Sequence, residues 1–280
     1  MGESRAMSSA SAATPESWPW PPAICASAAL HVAALGAGAL VPGAIPWAIG
    51  AVVLNHALIT GAGLTPRSSL LGPNVTRLPE AAGARREVAI TIDDGPEPEV
   101  TPRVLDLLDA HGQRATFFCI AERVLAHPAL AREIVARGHS VQNHTARHRH
   151  NFSFLGPRGF AREIARAQDI LIDATGQRPS CFRAPAGLRN PFLEPVLHRL
   201  GLSLVSWTRR GFDTREGDPA KVMARLGRNL RARDILLLHD GNAARTPEGN
   251  PVLLEVLPLL LERLRAAGLC AVTLPEGLKP

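Results

Sequence analysis

The stretch EVAITIDDGPEP, residues 87–98, reads as a buried strand that runs into an acidic turn. Val88 to Ile92 form an apolar, β-branched run that is short for a helix and shows no polar alternation. Such a run suits a strand covered on both faces, as in a parallel sheet. It stops at two adjacent carboxylates, Asp93 and Asp94, followed by Gly95 and Pro96, which punctuate a turn. Two like charges side by side at the end of a buried strand cost free energy unless a partner offsets them.

The same texture repeats downstream. Strand-like runs occur at 88–92, 115–120, 139–143, 180–184, 202–207, 234–239 and 269–274. Between them lie stretches with apolar residues at helical spacing. TPRVLDLLDAHG carries Thr101 as N-cap, Pro102 in the first turn and Gly112 as a stop. Strand followed by helix, repeated, argues for a parallel sheet with helices outside. Seven such strands predict an α/β fold with a closed or nearly closed (β/α) barrel. No GxGxxG follows the first strand to support a dinucleotide-binding sheet.

Most of these runs end in polar groups: Asp93-Asp94-Gly95, His144 and His148 in NHTARH, Arg183 to Gly187, Trp207 to Asp213, and His239-Asp240. In α/β barrels the site is built at the C-terminal strand ends, so these groups are expected to converge. On a helical turn, His144 and His148 would share a face and could grip one metal ion. Two imidazoles leave the ion under-ligated, and Asp93 or Asp94 can supply the missing carboxylate.

TIDDGP, HTARH, RAPAG, the Trp207-to-Asp213 segment and LLLHD stand in the order and rough spacing of five motifs, and over Glu87 to Leu274 the chain resembles the NodB-type polysaccharide deacetylases, carbohydrate esterase family four. The resemblance implies a distorted (β/α) barrel of about seven strands. It also implies metal-dependent removal of N-acetyl or other N-acyl groups from an amino-sugar glycan. On matching positions, Asp94, His144 and His148 would hold a divalent metal, usually zinc, with Co²⁺, Ni²⁺ or Mn²⁺ as alternatives. Asp93 would be the base that takes a proton from the metal-bound water, with Arg183 supporting it. Asp213 would pair with His239, the acid to the leaving amine, and the backbone N–H of Ala186 would serve the oxyanion. An ester or amide of another acyl group is the alternative substrate, and a non-catalytic glycan-binding membrane protein the alternative class.

The chain departs from the family pattern in two motifs. Ala186 stands where the third motif commonly has an aromatic. In the fourth, Arg210 stands at the first acidic place and Thr214 replaces a tryptophan. Fewer aromatic platforms argue against a long polymer and bring a small or lipid-linked glycan into contention. Trp207, Phe212 and Phe152, with Phe154, are the remaining candidate groove aromatics.

The N-terminal third differs. No Asp, Glu, Lys or Arg occurs between Glu16 and Arg67. After a polar tail, 1–21, two apolar runs of about 20 residues flank Pro42-Gly43, each long enough for a bilayer core of about 30 Å. Trp18, Trp20 and Trp47 lie near the run ends. Residues 22–64 are therefore read as a membrane hairpin, with a signal peptide plus tether or a buried helical pair as alternatives. Residues 65–86 form a connector that lies along the membrane or wraps the catalytic domain, 87–280. Arg67, Arg77, Arg85 and Arg86 follow the second run, whereas only Arg5 precedes the first. In a bacterial-type inner membrane this favours a cytoplasmic catalytic domain, the periplasmic face being the alternative. The formal net charge of +6 comes from dispersed arginines without a dense run or stacking platform, which argues against nucleic-acid binding. Cys25, Cys119, Cys181 and Cys270 fit no zinc or disulfide framework. The sequence leaves the oligomeric state open.

Overall fold

The computed structural model describes residues 18–280, so most of the tail expected over 1–21 lies outside the described residues. The apolar runs form α1 (Pro22–Leu40) and α2 (Ile45–Gly63), which pack on each other. Their polar interruptions meet across this contact: Asn55 donates to Ser27 Oγ at 2.8 Å, and the His31 and His56 Nε2 atoms lie 3.2 Å apart. Otherwise the pair stands outside the core. Helix α1 buries no residue and α2 buries only Ala62 and Gly63, while Leu35, Leu40, Trp47 and Val53 are exposed. Both helices are long and apolar enough to cross a membrane.

After α3 (Glu80–Ala84) the chain alternates: β1 (Glu87–Asp93), α4 (Thr101–Ala110), β2 (Ala115–Cys119), α5 (Ala121–Ala126), α6 (Pro128–Ala136), β3 (Ser140–Asn143), α7 (Pro157–Thr175), β4 (Cys181–Phe182) and α8 (Leu193–Arg199). There follow β5 (Ser203–Leu204), β6 (Arg209–Arg210), α9 (Pro219–Gly227), β7 (Ile235–His239), α10 (Val252–Ala266), β8 (Cys270–Ala271) and α11 (Leu274–Gly277). All strand pairs are parallel, in the order β5-β4-β3-β2-β1-β7-β6, with β8 on the start of β1.

Alternation along β1 sorts the two faces. Val88, Ile90 and Ile92 pack with α4, α9 and α10 in the main core, and each such aliphatic side chain contributes roughly 1.5–3 kcal/mol over an exposed one. Ala89 joins an inner cluster with Phe118, Val205 and Leu237, and Thr91 and Asp93 share that inner face.

Of the run at 202–207, expected as one strand, only Ser203–Leu204 pairs as a strand, β5, and β6 lies beyond the run. β5 lies at one edge of the sheet and β6 at the other, only five residues on. Five residues reach at most about 18 Å, so the sheet must curl until its edges nearly meet. The gap is filled from the connector: Val75 N–H donates to the Leu204 carbonyl at 2.9 Å, and Ser206 N–H to the Val75 carbonyl at 2.8 Å. Leu78 and Ala82 are fully buried in the inner cluster. The connector therefore wraps into the domain. Thr101 also differs from expectation. It lies inside α4 after Val100, and its hydroxyl bonds Asp240 Oδ2 at 2.5 Å rather than capping the helix.

Candidate active site

Strand register brings the polar ends to one level. Asp93 lies beside Phe118 on one side and His239 on the other, Cys119 beside Asn143, and Asn143 beside Phe182. The loops beyond these residues surround a cleft of about 720 Å³.

Asp93 and Asp94 part company at the strand end. Asp93 ends β1 on the inner face, where its Oδ1 accepts from Arg183 Nη1 at 2.6 Å. Asp94 takes φ +75°, in the left-handed region, and turns its carboxylate toward the two histidines. Its Oδ1 lies 3.3 Å from Nε2 of both His144 and His148. Gly95 follows because no side chain fits: a Cβ there would lie 2.3 Å from Asp240 Oδ2.

The three side chains fit a metal ion. Their ligand atoms all lie within 4.8 Å of one another. His144 Nδ1–H donates to the Arg183 carbonyl at 2.8 Å, which fixes the tautomer and leaves the Nε2 lone pair facing Asp94. Asp94 Oδ1 is buried without a hydrogen-bond donor, while Oδ2 accepts from Asn242 at 3.1 Å. A buried anionic oxygen left unpaired in this way is costly unless a cation meets it. Burial, then the adjacent His144, push His148 down to about 4, so at neutral pH its Nε2 is free to ligate. Burial works to raise the Asp94 carboxyl, but the adjacent His144, with His239 and His148, holds it well below the ordinary range.

Arg183 is buried whole and makes four hydrogen bonds. It donates to Asp93, to Thr91 Oγ1 at 2.8 Å, and to the Val205 and Ser206 carbonyls, with its guanidinium 4.1 Å above the Phe118 ring. His239 is held equally firmly. Its Nδ1–H donates to Asp213 Oδ1 at 2.9 Å, and its backbone N–H to Asp213 Oδ2 at 2.7 Å. Burial opposes a charged imidazolium, but the Asp213 carboxylate outweighs it and raises His239 above its ordinary value. In the loop after β4, Ala186 takes φ +54° and lines the cleft. Its N–H donates to no acceptor among the described residues.

Comparison with known proteins agrees with this arrangement. The family model "Polysaccharide deacetylase" matches residues 80–205. A peptidoglycan-N-acetylglucosamine deacetylase of Bacillus cereus is 30% identical over 207 residues, covering 71% of this chain and 92% of that protein. The chain belongs to the polysaccharide deacetylase family. A chitooligosaccharide deacetylase of Sinorhizobium fredii is 36% identical over 59% of this chain and 76% of that protein. Among solved structures, a family 4 carbohydrate esterase from Streptomyces lividans, in complex with acetate, aligns with a TM-score of 0.60 at 31% identity, covering 66% of this chain and 91% of that one.

The candidate groove aromatics of this polysaccharide deacetylase family member separate. Trp207 lines the cleft. Phe152 does not: it is 1% exposed and packs against Phe160 and Phe182, because the turn at 152–154 folds it under α7. Phe212 is 46% exposed outside the cleft lining, beneath the Arg210 and Arg225 guanidiniums, and Phe154 points to solvent. Sequence reasoning missed Asn242, which carries no motif signal beyond following HDG. It also missed Thr91, whose inner-face position follows from its alternation with Ile90 and Ile92. Asp240, fully buried against Thr101, is pushed by burial up to about 7 and is structural.

Proposed function

We propose that this chain is a metal-dependent hydrolase that removes an N-acetyl or related N-acyl group from an amino-sugar glycan. The observation that carries this reading is one cleft holding three elements: the unpaired Asp94 Oδ1 with two imidazoles, an arginine-bound Asp93, and a carboxylate-bound His239. Two imidazoles and one carboxylate suit zinc. A divalent ion held there would lower the pKa of a water from 15.7 to about 7, supplying a nucleophile at neutral pH.

The chain's own residues then divide the proton work. Asp93 Oδ1 is held by Arg183, which leaves Oδ2 to take the proton of the attacking water. The Ala186 N–H is free to donate to the oxyanion that develops on the acyl oxygen. His239 carries its proton on Nε2, because Nδ1 is committed to Asp213, and gives it to the leaving amine. The base is thus paired with a cation, Arg183, and the acid with an anion, Asp213. The test is acyl release by the metal-replete protein from chitooligosaccharides, peptidoglycan fragments and lipid-linked amino sugars. Stoichiometric metal with no release from any of them would refute the reading.

We further infer that α1 and α2 anchor the enzyme in a membrane with its catalytic domain on the cytoplasmic side. The exposed apolar surface and the arginines after α2 support this. A fused reporter that is active only in the periplasm should stay silent when attached after Pro280.

A further inference from the structure

We propose that the substrate carries a phosphate ester on or beside the amino sugar, and that Arg210 and Arg215 receive it. This rests on the deacetylase reading and narrows its substrate class. Four arginines line the cleft, and two of them are engaged: Arg147 pairs with Glu122 at 2.7 Å, and Arg123 reaches Asn242. Arg210 and Arg215 differ. Among the described residues neither side chain has a hydrogen bond or a carboxylate within ion-pair distance, and Arg210 Nε is enclosed without an acceptor. Arg210 is nevertheless held in place, with its guanidinium 5.4 Å from the Trp207 ring centroid and 4.9 Å from that of Phe212.

Arg210 and Arg215 repel each other, and Asp213 and Asp93 offset the Arg210 charge only from a distance, so both guanidinium forks are left without a hydrogen-bond acceptor until an anion joins them. Guanidinium forks match phosphate oxygens in pairs. Arg210 also stands where the resembled motif carries an acid, so this wall has changed sign relative to that pattern.

The position of the wall bears on the source of the phosphate. Trp207 and Gly187 form the rim next to Arg210, and Pro66, three residues beyond α2, packs against them. A Cβ at Gly187 would lie 2.5 Å from Pro66 Cβ and 2.8 Å from Trp207 Cη2. Ser206 Oγ–H donates to the Pro66 carbonyl at 2.6 Å, and Arg189 N–H to the Gly63 carbonyl at 3.1 Å. The apolar helix pair therefore ends beside the anion wall, where a polyprenyl chain attached through phosphate could follow it. A soluble sugar phosphate would use the same arginines.

The experiment measures kcat/KM of the full-length, metal-replete protein in detergent on four substrates: N-acetylglucosamine, its 1-phosphate, polyprenyl-diphosphate-linked N-acetylglucosamine and chitotetraose. The phosphate-bearing sugars should exceed the neutral ones by at least about tenfold, as expected for charge-assisted contacts to two guanidiniums. Arg210→Gln should remove most of that ratio, and Arg215→Gln part of it. A lipid-linked form above the soluble 1-phosphate assigns the phosphate to a membrane lipid; equality assigns it to a soluble sugar. Equal turnover of neutral and phosphorylated sugars overturns the proposal while leaving the deacetylase reading intact. So does an Arg210→Gln loss that falls equally on all four. If no substrate releases acyl, the deacetylase reading fails, and calorimetric binding of the 1-phosphate against N-acetylglucosamine decides the arginines' role. Tighter phosphate binding lost in both variants upholds it, and binding that persists in both overturns it.

Discussion

Asp93 and Asp94 differ in sequence by one position and in surroundings by nearly everything. The final pleat of β1 turns Asp93 inward to Arg183, and the left-handed backbone at Asp94 turns the next carboxylate to the histidines. Asp93→Asn should therefore lower turnover by about 10²–10⁴-fold while metal stays bound, the usual value of a general base. Asp94→Asn should release the metal. Metal content of the two purified variants, beside their rates, checks this, and metal lost from Asp93→Asn would mean the roles are exchanged. Asn242→Ala, which removes the donor to Asp94 Oδ2, should weaken metal affinity by about 10–100-fold. Asp213→Asn is read in the pH profile. The acid acts as imidazolium, so the rate falls as pH rises through the His239 pKa. Removing the carboxylate that raises that pKa should move the basic limb of kcat to lower pH.

At the scale of elements, legibility follows burial. β1, β2 and β7 are enclosed on both faces, so each had to be a continuous apolar run, and each could be read. Their polar ends were readable for the same reason, since a carboxylate or histidine terminating such a run has few uses other than chemistry. β6 could not be read, because Arg209 and Arg210 pair with β7 only as a result of sheet curling, which no local pattern encodes. Phe152 was misassigned because residue type does not say which way a turn points. The Arg189–Glu194 pair is another product of tertiary structure: Arg189 also donates to the Ser68 carbonyl, locking α8 to the connector. Burial pushes Glu194 up to about 7 from its ordinary 4.5, with Arg189 opposing. Between those values the folded protein holds more protons than the unfolded chain, so this group makes stability fall as pH rises from about 4.5 to 7. Glu194→Gln should flatten that fall in thermal melts, and an unchanged slope would show that the pair stays charged throughout.

The whole molecule is divided differently from its sequence texture. Composition shifts at Glu87, where the alternation of strands and helices begins, and that is where a boundary is naturally drawn. Yet Leu71, Leu78 and Ala82 are buried as deeply as the strand residues, and Val75 bonds Leu204 and Ser206 where the chain leaves β5. Within the apolar helices, by contrast, only Ala62 and Gly63 are buried, and Trp18 just ahead of α1 packs on the His198 ring. The physical division therefore falls near residue 65, between the apolar helix pair and a barrel that includes the connector. A chain beginning at residue 65 should fold, bind metal and leave the membrane fraction. One beginning at residue 87 loses Leu78, whose replacement by Ala alone should cost about 2–5 kcal/mol, together with the backbone bonds that close the sheet. It should melt well below the longer form or fail to fold. Equal melting temperatures for the two truncations would show that the connector is an applied strap rather than part of the barrel. In that case the contact between Pro66 and the Gly187 rim would not hold the helix pair against the cleft.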